Sequence, residues 1–109
     1  MSAAPQVLIV GAGPAGLAAA LFLSRRGVPV RIIDAAETPT ATSKALGVNP
    51  RTLDLLEPTG VTARILAEAG TAARLHIHRH GKTLAVVHLD ELDVGARFPL
   101  AILPQARTE

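Results

Sequence analysis

Residues 7–16 read VLIVGAGPAG, and the spacing of Gly11, Gly13 and Gly16 limits what this chain can fold into more than any other feature. The apolar, β-branched run at 6–10 stops at a glycine, as a short strand buried on both faces of a parallel sheet does. After Pro14, Ala, Leu and Phe take over, which is helix-forming composition. In a strand-to-helix turn each glycine answers a steric demand. Gly11 permits the tight turn, Gly13 lets the backbone approach a pyrophosphate, and Gly16 allows the helix to pack closely on its strand. Pro14 suits the first helical position, where its missing N–H costs nothing. The helix N-terminus, with its N–H groups and dipole, then faces the phosphates.

The run stays apolar through Leu23, so a membrane span or a signal segment is the rival explanation. A span wants about 20 apolar residues, and a signal peptide wants a basic leader. Residues 1–6 carry no basic side chain, and a proline and three glycines interrupt the run. The sequence therefore predicts no membrane segment. The helix is expected to end near Arg25, Arg26 and Gly27, with cations on the negative end of the dipole and a glycine able to take a left-handed cap. A second strand is expected at 28–33, closed by Asp34. An acidic residue about 20 positions beyond the glycines is where a ribose hydroxyl is held, and it argues against a 2′-phosphate. The unit is a Rossmann-like βαβ dinucleotide fold of the α/β class. NAD and the ADP half of FAD ask the same of it, and both stay open at this point.

The remaining composition narrows the function by exclusion. A chain of 109 residues, 49% hydrophobic and 18% charged, forms one domain or part of one. Eleven Lys and Arg against nine Asp and Glu, with Phe22 and Phe98 as the two aromatics, leave neither charge runs nor stacking platforms for nucleic acid. There is no cysteine, which removes disulfides and thiol nucleophiles and suits a reducing cytoplasm.

Beyond Asp34, residues 35–43 form a small, polar loop. Asn49 is expected to cap a helix with Pro50 at its first position and Leu53, Leu55 and Leu56 as its apolar stripe, stopped by Pro58 and Gly60. Thr62 is expected to cap a second short helix at 63–69, ended by Gly70, with Ile65 and Leu66 buried. Residues 73–80 alternate as a strand, and Gly81 and Lys82 turn it into a partner at 83–89. The expected hairpin sets His76, His78 and His80 on one face, a spacing able to hold a metal, though a solvated strand face is the plainer account. Asp90, Glu91 and Asp93 lack the ligand spacing of a calcium loop and are expected to form a solvated turn. No metal site is expected, and no serine elbow or Cys/His pair suggests nucleophilic catalysis.

The stretches GAGPAGL at 11–17, SKALGVNPRTLDLLEPTGV at 43–61 and LPQARTE at 103–109 resemble the FAD-dependent aromatic hydroxylases, flavoprotein monooxygenases related to para-hydroxybenzoate and phenol hydroxylases. The middle stretch is most similar to the phenol and polyketide hydroxylases. The resemblance implies FAD as cofactor, with Gly11, Gly13, Pro14, Ala15 and Gly16 around its pyrophosphate and Asp34 on the adenosine ribose. Many relatives have glutamate there, so the shorter Asp34 is a departure. Lys44 stands where many relatives have an arginine beside the flavin, and Ala45 follows it in the cofactor-binding set. Lysine keeps the charge and loses the planar fork. Arg51 either reaches the cofactor or is solvated. Gln105 matches a glutamine that touches the ribose and phosphate region.

The resemblance also implies an activity: NAD(P)H reduces FAD, and with O2 one oxygen atom passes to an electron-rich aromatic ring. Relatives run several times longer, so the chain is expected to be an amino-terminal part, truncated relative to the family and inactive alone. Its expected divisions are 1–72 for the βαβ unit and helices, 73–103 for the start of the substrate-side sheet, and 104–109 for the start of a further helix. Two other functions stay open, a stand-alone dinucleotide-binding module and part of an NAD-dependent dehydrogenase.

Overall fold

A computed structural model describes residues 4–39, 47–91, 95 and 97–109. They form two compact units, one made of the described residues within 1–44 together with 105–109 and the other of the described residues within 45–104.

The first unit is the βαβ motif. Strand β1 (Val7–Val10) and strand β2 (Val30–Ile33) run parallel in register, Val7 opposite Val30 and Val10 opposite Ile33. Helix α1 (Pro14–Arg25) connects them. Its start is fixed by Pro14 after Gly13, whose carbonyl accepts from Leu17 N–H at 2.9 Å. Its end is fixed by Gly27, whose positive φ of 75° lets the chain reverse and whose N–H donates to the Ser24 carbonyl at 3.0 Å. The second strand starts two residues later than the composition suggests, because Pro29 lacks an N–H to give a ladder. Its carbonyl is still used, accepting from Gln6 N–H at 2.8 Å. Leu8, Val10 and Ile33 remain exposed on the two-stranded sheet, an apolar surface unusual for parallel strands.

The second unit is built around a three-stranded antiparallel sheet. Strand β3 (Gly47–Val48) and strand β4 (Gly70–Ala72) flank strand β7 (Leu100–Ile102), with Val48 and Thr71 both paired to Ala101. The sequence pattern had not suggested this sheet. Helix α2 (Pro50–Leu56) and helix α3 (Val61–Glu68) complete the unit, joined by a 3-10 turn at Glu57–Thr59. Val48, Leu53, Ile65, Ala101 and Leu103 form its buried core, with Leu66 and Phe98 packed against it.

Asn49 caps α2 as its position suggests, its side-chain oxygen accepting from Thr52 N–H at 2.8 Å. Two expectations for the helices are corrected. Leu55 is 53% exposed, because it falls between Leu53 and Leu56 and off the buried stripe. Thr62 is not the cap of α3, which starts after Gly60. Its side chain is fully buried, and its hydroxyl donates to the Leu53 carbonyl near the end of α2, where helical carbonyls lose their in-helix partners.

Strand β5 (Arg74–Arg79) and strand β6 (Lys82–His88) form the expected hairpin. Its turn is one residue earlier than expected, at His80 and Gly81, since Lys82 already pairs with Arg79. An irregularity between Ile77 and His78 shifts the register. His76 and His78 stack with ring centroids 6.1 Å apart, whereas His80 has left the strand and sits in the turn at φ 50°. The three-histidine face is thereby corrected to a pair. Helix α4 (Gln105–Thr108) closes the described chain.

Candidate functional site

The site grows from the turn between β1 and α1. Gly11 adopts φ 106°, a conformation open to glycine, and its N–H donates to the Ile33 carbonyl at 2.7 Å. That bond extends the parallel ladder by one step and brings the turn alongside the end of β2. Gly16 marks the close approach of helix and strand. A Cβ there would lie 1.9 Å from the Gly11 carbonyl oxygen and 3.3 Å from the Ile9 side chain. Gly13 is different, because a Cβ on it would meet no atom within 4 Å. Gly16 is thus required by the protein's own packing, while Gly13 leaves the mouth of the turn open.

Asp34 stands directly after β2 and joins that turn. Its Oδ2 accepts from Ala12 N–H at 2.7 Å and its Oδ1 accepts from Ala36 N–H at 2.7 Å. These two bonds, the Ala12 one foremost, hold the Asp34 carboxyl below its ordinary range, outweighing a small opposing effect of desolvation. The carboxylate is exposed and retains lone pairs for further donors.

A groove of about 500 Å³ opens here, lined by Ala12, Gly13, Leu17, Asp34, Glu37 and Gln105 among others. Glu109 also lines it and accepts from the Gln105 side-chain nitrogen at 2.7 Å. One wall carries backbone N–H groups and the positive end of α1, suited to an anion. Another carries the carboxylates of Asp34, Glu37 and Glu109, suited to hydroxyl donors.

Of the residues singled out in the sequence, Gly13, Asp34 and Gln105 meet at this groove, and Gly11 and Gly16 shape the turn behind it. Pro14 and Ala15 form the first turn of α1 and are exposed. Lys44 and Ala45 lie outside the described residues. Arg51 is exposed in the first turn of α2. The sequence pattern had not pointed to Ala12, Glu37 or Glu109. Ala12 acts through its backbone, which no side chain advertises, while Glu109 lies inside the LPQARTE motif four residues after Gln105.

Among the described residues, one group has three potential metal-ligating side chains close together, His88, Asp90 and Glu91. His88 Nδ1 and Glu91 Oε1 are 3.8 Å apart, with Asp90 and Glu91 exposed. Asp93 lies outside the described residues. No helix among the described residues is long and apolar enough to cross a membrane.

The sequence profile of the family described as FAD binding domain matches residues 4–109. Among the relatives that match nearly the whole chain are two monooxygenases. The 6-methylpretetramide 4-monooxygenase of Streptomyces rimosus is 40% identical over 106 residues, covering 96% of this chain and 19% of the relative. The pentachlorophenol 4-monooxygenase of Sphingobium chlorophenolicum is 38% identical over 109 residues, covering 99% and 20%. Among solved structures, the flavin-dependent monooxygenase PieE in complex with FAD and substrate superimposes with a TM-score of 0.78 at 31% identity, covering 95% of this chain and 21% of that one. The chain belongs to the FAD-binding domain family of the flavin-dependent aromatic monooxygenases. It spans about a fifth of the length of the curated relatives it matches. FAD, rather than NAD, is the dinucleotide of this fold.

Proposed function

We propose that the chain binds the ADP half of FAD in the groove beside the β1–α1 turn, as the amino-terminal part of an NAD(P)H-dependent monooxygenase that hydroxylates a phenolic or polyketide aromatic ring. The observation that carries the reading is the contrast between Gly16 and Gly13. The first is closed by the Gly11 carbonyl, whereas the second has room for a ligand to approach the backbone. In this reading the pyrophosphate lies against Gly11, Gly13 and the start of α1 with Pro14, Ala15 and Gly16, where the helix N-terminus favours an anion. The adenosine ribose donates hydroxyl hydrogens to Asp34, already held ionised by Ala12 and Ala36. Gln105 closes the groove from α4. Lys44 and Ala45 complete the set by their match to the family's flavin-side segment.

When bound, FAD supplies the redox chemistry, taking a hydride from NAD(P)H and activating O2 for insertion into an aromatic ring. The residues described here bind and orient that cofactor, and none is assigned as acid or base. The carboxylates of the groove repel a 2′-phosphate, so FAD is preferred here over a phosphorylated dinucleotide. The relatives' names support the substrate class, since one acts on pentachlorophenol and another on 6-methylpretetramide. The lack of cysteine suits a cytoplasmic setting.

The test is flavin binding and turnover by the protein as its gene encodes it. The expected result is a yellow protein that releases FAD on denaturation and oxidises NAD(P)H faster when a phenolic or polycyclic aromatic is added. Purification without flavin, together with an apoprotein that does not take up FAD, overturns the reading.

A further inference from the structure

Strand β6 ends at His88, and the chain then turns. The N–H groups of Leu89 and Asp90 both donate to the Ala73 carbonyl, at 2.8 and 3.3 Å, and Glu91 N–H donates back to the His88 carbonyl at 3.3 Å. The backbone of 88–91 is thereby tied to the residue just before β5. It brings three side chains together: a ring nitrogen of His88 and one carboxylate oxygen each from Asp90 and Glu91 lie within 4.8 Å of one another. The sequence pattern had grouped Asp90 and Glu91 with Asp93 and passed over His88, which supplies the nitrogen that the acidic run lacks.

Two carboxylates this close repel each other, and among the described residues no hydrogen bond holds either side chain. His88 Nδ1 stands 3.8 Å from Glu91 Oε1, too far for a hydrogen bond. Around a tetrahedral zinc ion, with bonds of about 2.0–2.2 Å, neighbouring donor atoms stand about 3.3–3.6 Å apart. Small rotations of half-buried His88 and exposed Asp90 and Glu91 therefore close the three groups on one ion. Arg97, which lines a cleft with Asp90, is engaged by Asp54 at 3.3 Å. Arg74, opposite His88 in the ladder, is exposed, so water and salt screen its charge.

We propose that His88, Asp90 and Glu91 form a binding site for a divalent transition metal, zinc foremost. An imidazole with two carboxylates suits zinc and its neighbours, whereas calcium and magnesium favour oxygen ligands alone. The two carboxylates offset the two charges of the ion, and water completes its coordination. A bound metal pins the end of β6 to the turn that follows it. The site is independent of the flavin groove and of the reading given to that groove.

The experiment is calorimetric titration of the protein as encoded, first stripped with a chelator, with zinc chloride and separately with magnesium and calcium chloride. The parent is expected to take up one equivalent of zinc at micromolar concentration that His88→Ala does not, the variant binding it about tenfold more weakly or worse. Glu91→Gln keeps the size of an exposed turn residue and removes its charge, so it leaves the fold intact and is expected to show the same loss should His88→Ala fail to fold. His76→Ala, which breaks the stacked pair on the hairpin, is expected to bind zinc as the parent does. Magnesium and calcium are expected to leave this equivalent unfilled. Equal zinc uptake by the parent and Glu91→Gln overturns the inference. So does a loss in His76→Ala as large as that in Glu91→Gln, or a site that magnesium or calcium fills as readily as zinc.

Discussion

The Asp34 carboxylate and the backbone N–H of Ala12, 22 residues apart, meet at 2.7 Å and tie the end of β2 to the glycine turn. The same carboxylate holds Ala36 N–H at 2.7 Å, so one side chain orders the turn on one side and the following loop on the other. A residue marked by sequence for a ribose is thus a structural clamp as well.

That clamp is expected to make folding stability depend on pH. The two N–H bonds lower the folded-state pKa of Asp34, whereas the unfolded chain titrates in the ordinary carboxylate range. Between the two values the unfolded state holds more protons, so stability rises with pH there. The contribution is present in full above the ordinary range and is lost as pH falls through the lowered folded value. Denaturant midpoints for the parent and for Asp34→Asn, measured from about pH 7 to about pH 3, are expected to differ at neutrality and converge in acid. A gap that persists unchanged in acid contradicts the clamp.

Gly13 and Gly16 are expected to separate binding from folding. At Gly16 an added Cβ lies 1.9 Å from the Gly11 carbonyl oxygen, so Gly16→Ala must push the helix off the strand, at a cost of about 1–3 kcal/mol or more. Gly13 has φ −76° and open space around its Cβ position, so Gly13→Ala is expected to leave stability within about 0.5 kcal/mol. Its methyl group nevertheless stands where the proposed pyrophosphate approaches, and FAD affinity is expected to fall at least tenfold, roughly the value of 1.4 kcal/mol. Thermal unfolding and FAD titration on both variants give the comparison. Equal affinity for Gly13→Ala and the parent removes the pyrophosphate from this position.

The βαβ unit was legible because its signals are local. Three glycines, a proline and two β-branched runs lie within 28 residues of one another, and each element is bounded by its own punctuation. The sheet of β3, β4 and β7 was not legible, because strands of two or three residues carry no periodicity. Their pairing joins Gly47 and Gly70 to Ile102, a contact fixed by tertiary packing rather than by nearby residues. Gly70 was expected to stop a helix and instead opens a strand. At the site, Asp34 and Gln105 were legible from side-chain type and motif. Ala12 was not, since its contribution is a backbone N–H that any residue other than proline could supply.

Asn49 is expected to stabilise α2 through its capping bond to Thr52 N–H at 2.8 Å. Asn49→Ala removes that acceptor and is expected to cost about 1 kcal/mol, while Asn49→Asp retains it and benefits from the helix dipole. Chemical denaturation of the two variants is expected to rank Asp at or above the parent and Ala below both. An Ala variant as stable as the parent rules out the cap.

Thr62 carries the sharpest expectation about the second unit. Its hydroxyl donates to the Leu53 carbonyl in a position only 1% exposed, where water cannot replace it. Thr62→Val preserves the branched shape and strands that carbonyl, and it is expected to cost about 1–3 kcal/mol. Thr62→Ser keeps the donor and deletes one methyl group, for which about 1 kcal/mol is expected. If apolar packing were the role of this residue, the order would invert, with valine equal to the parent and serine the weaker. Denaturant midpoints for the two variants decide between a buried hydrogen bond that joins α3 to the end of α2 and a side chain that merely fills space.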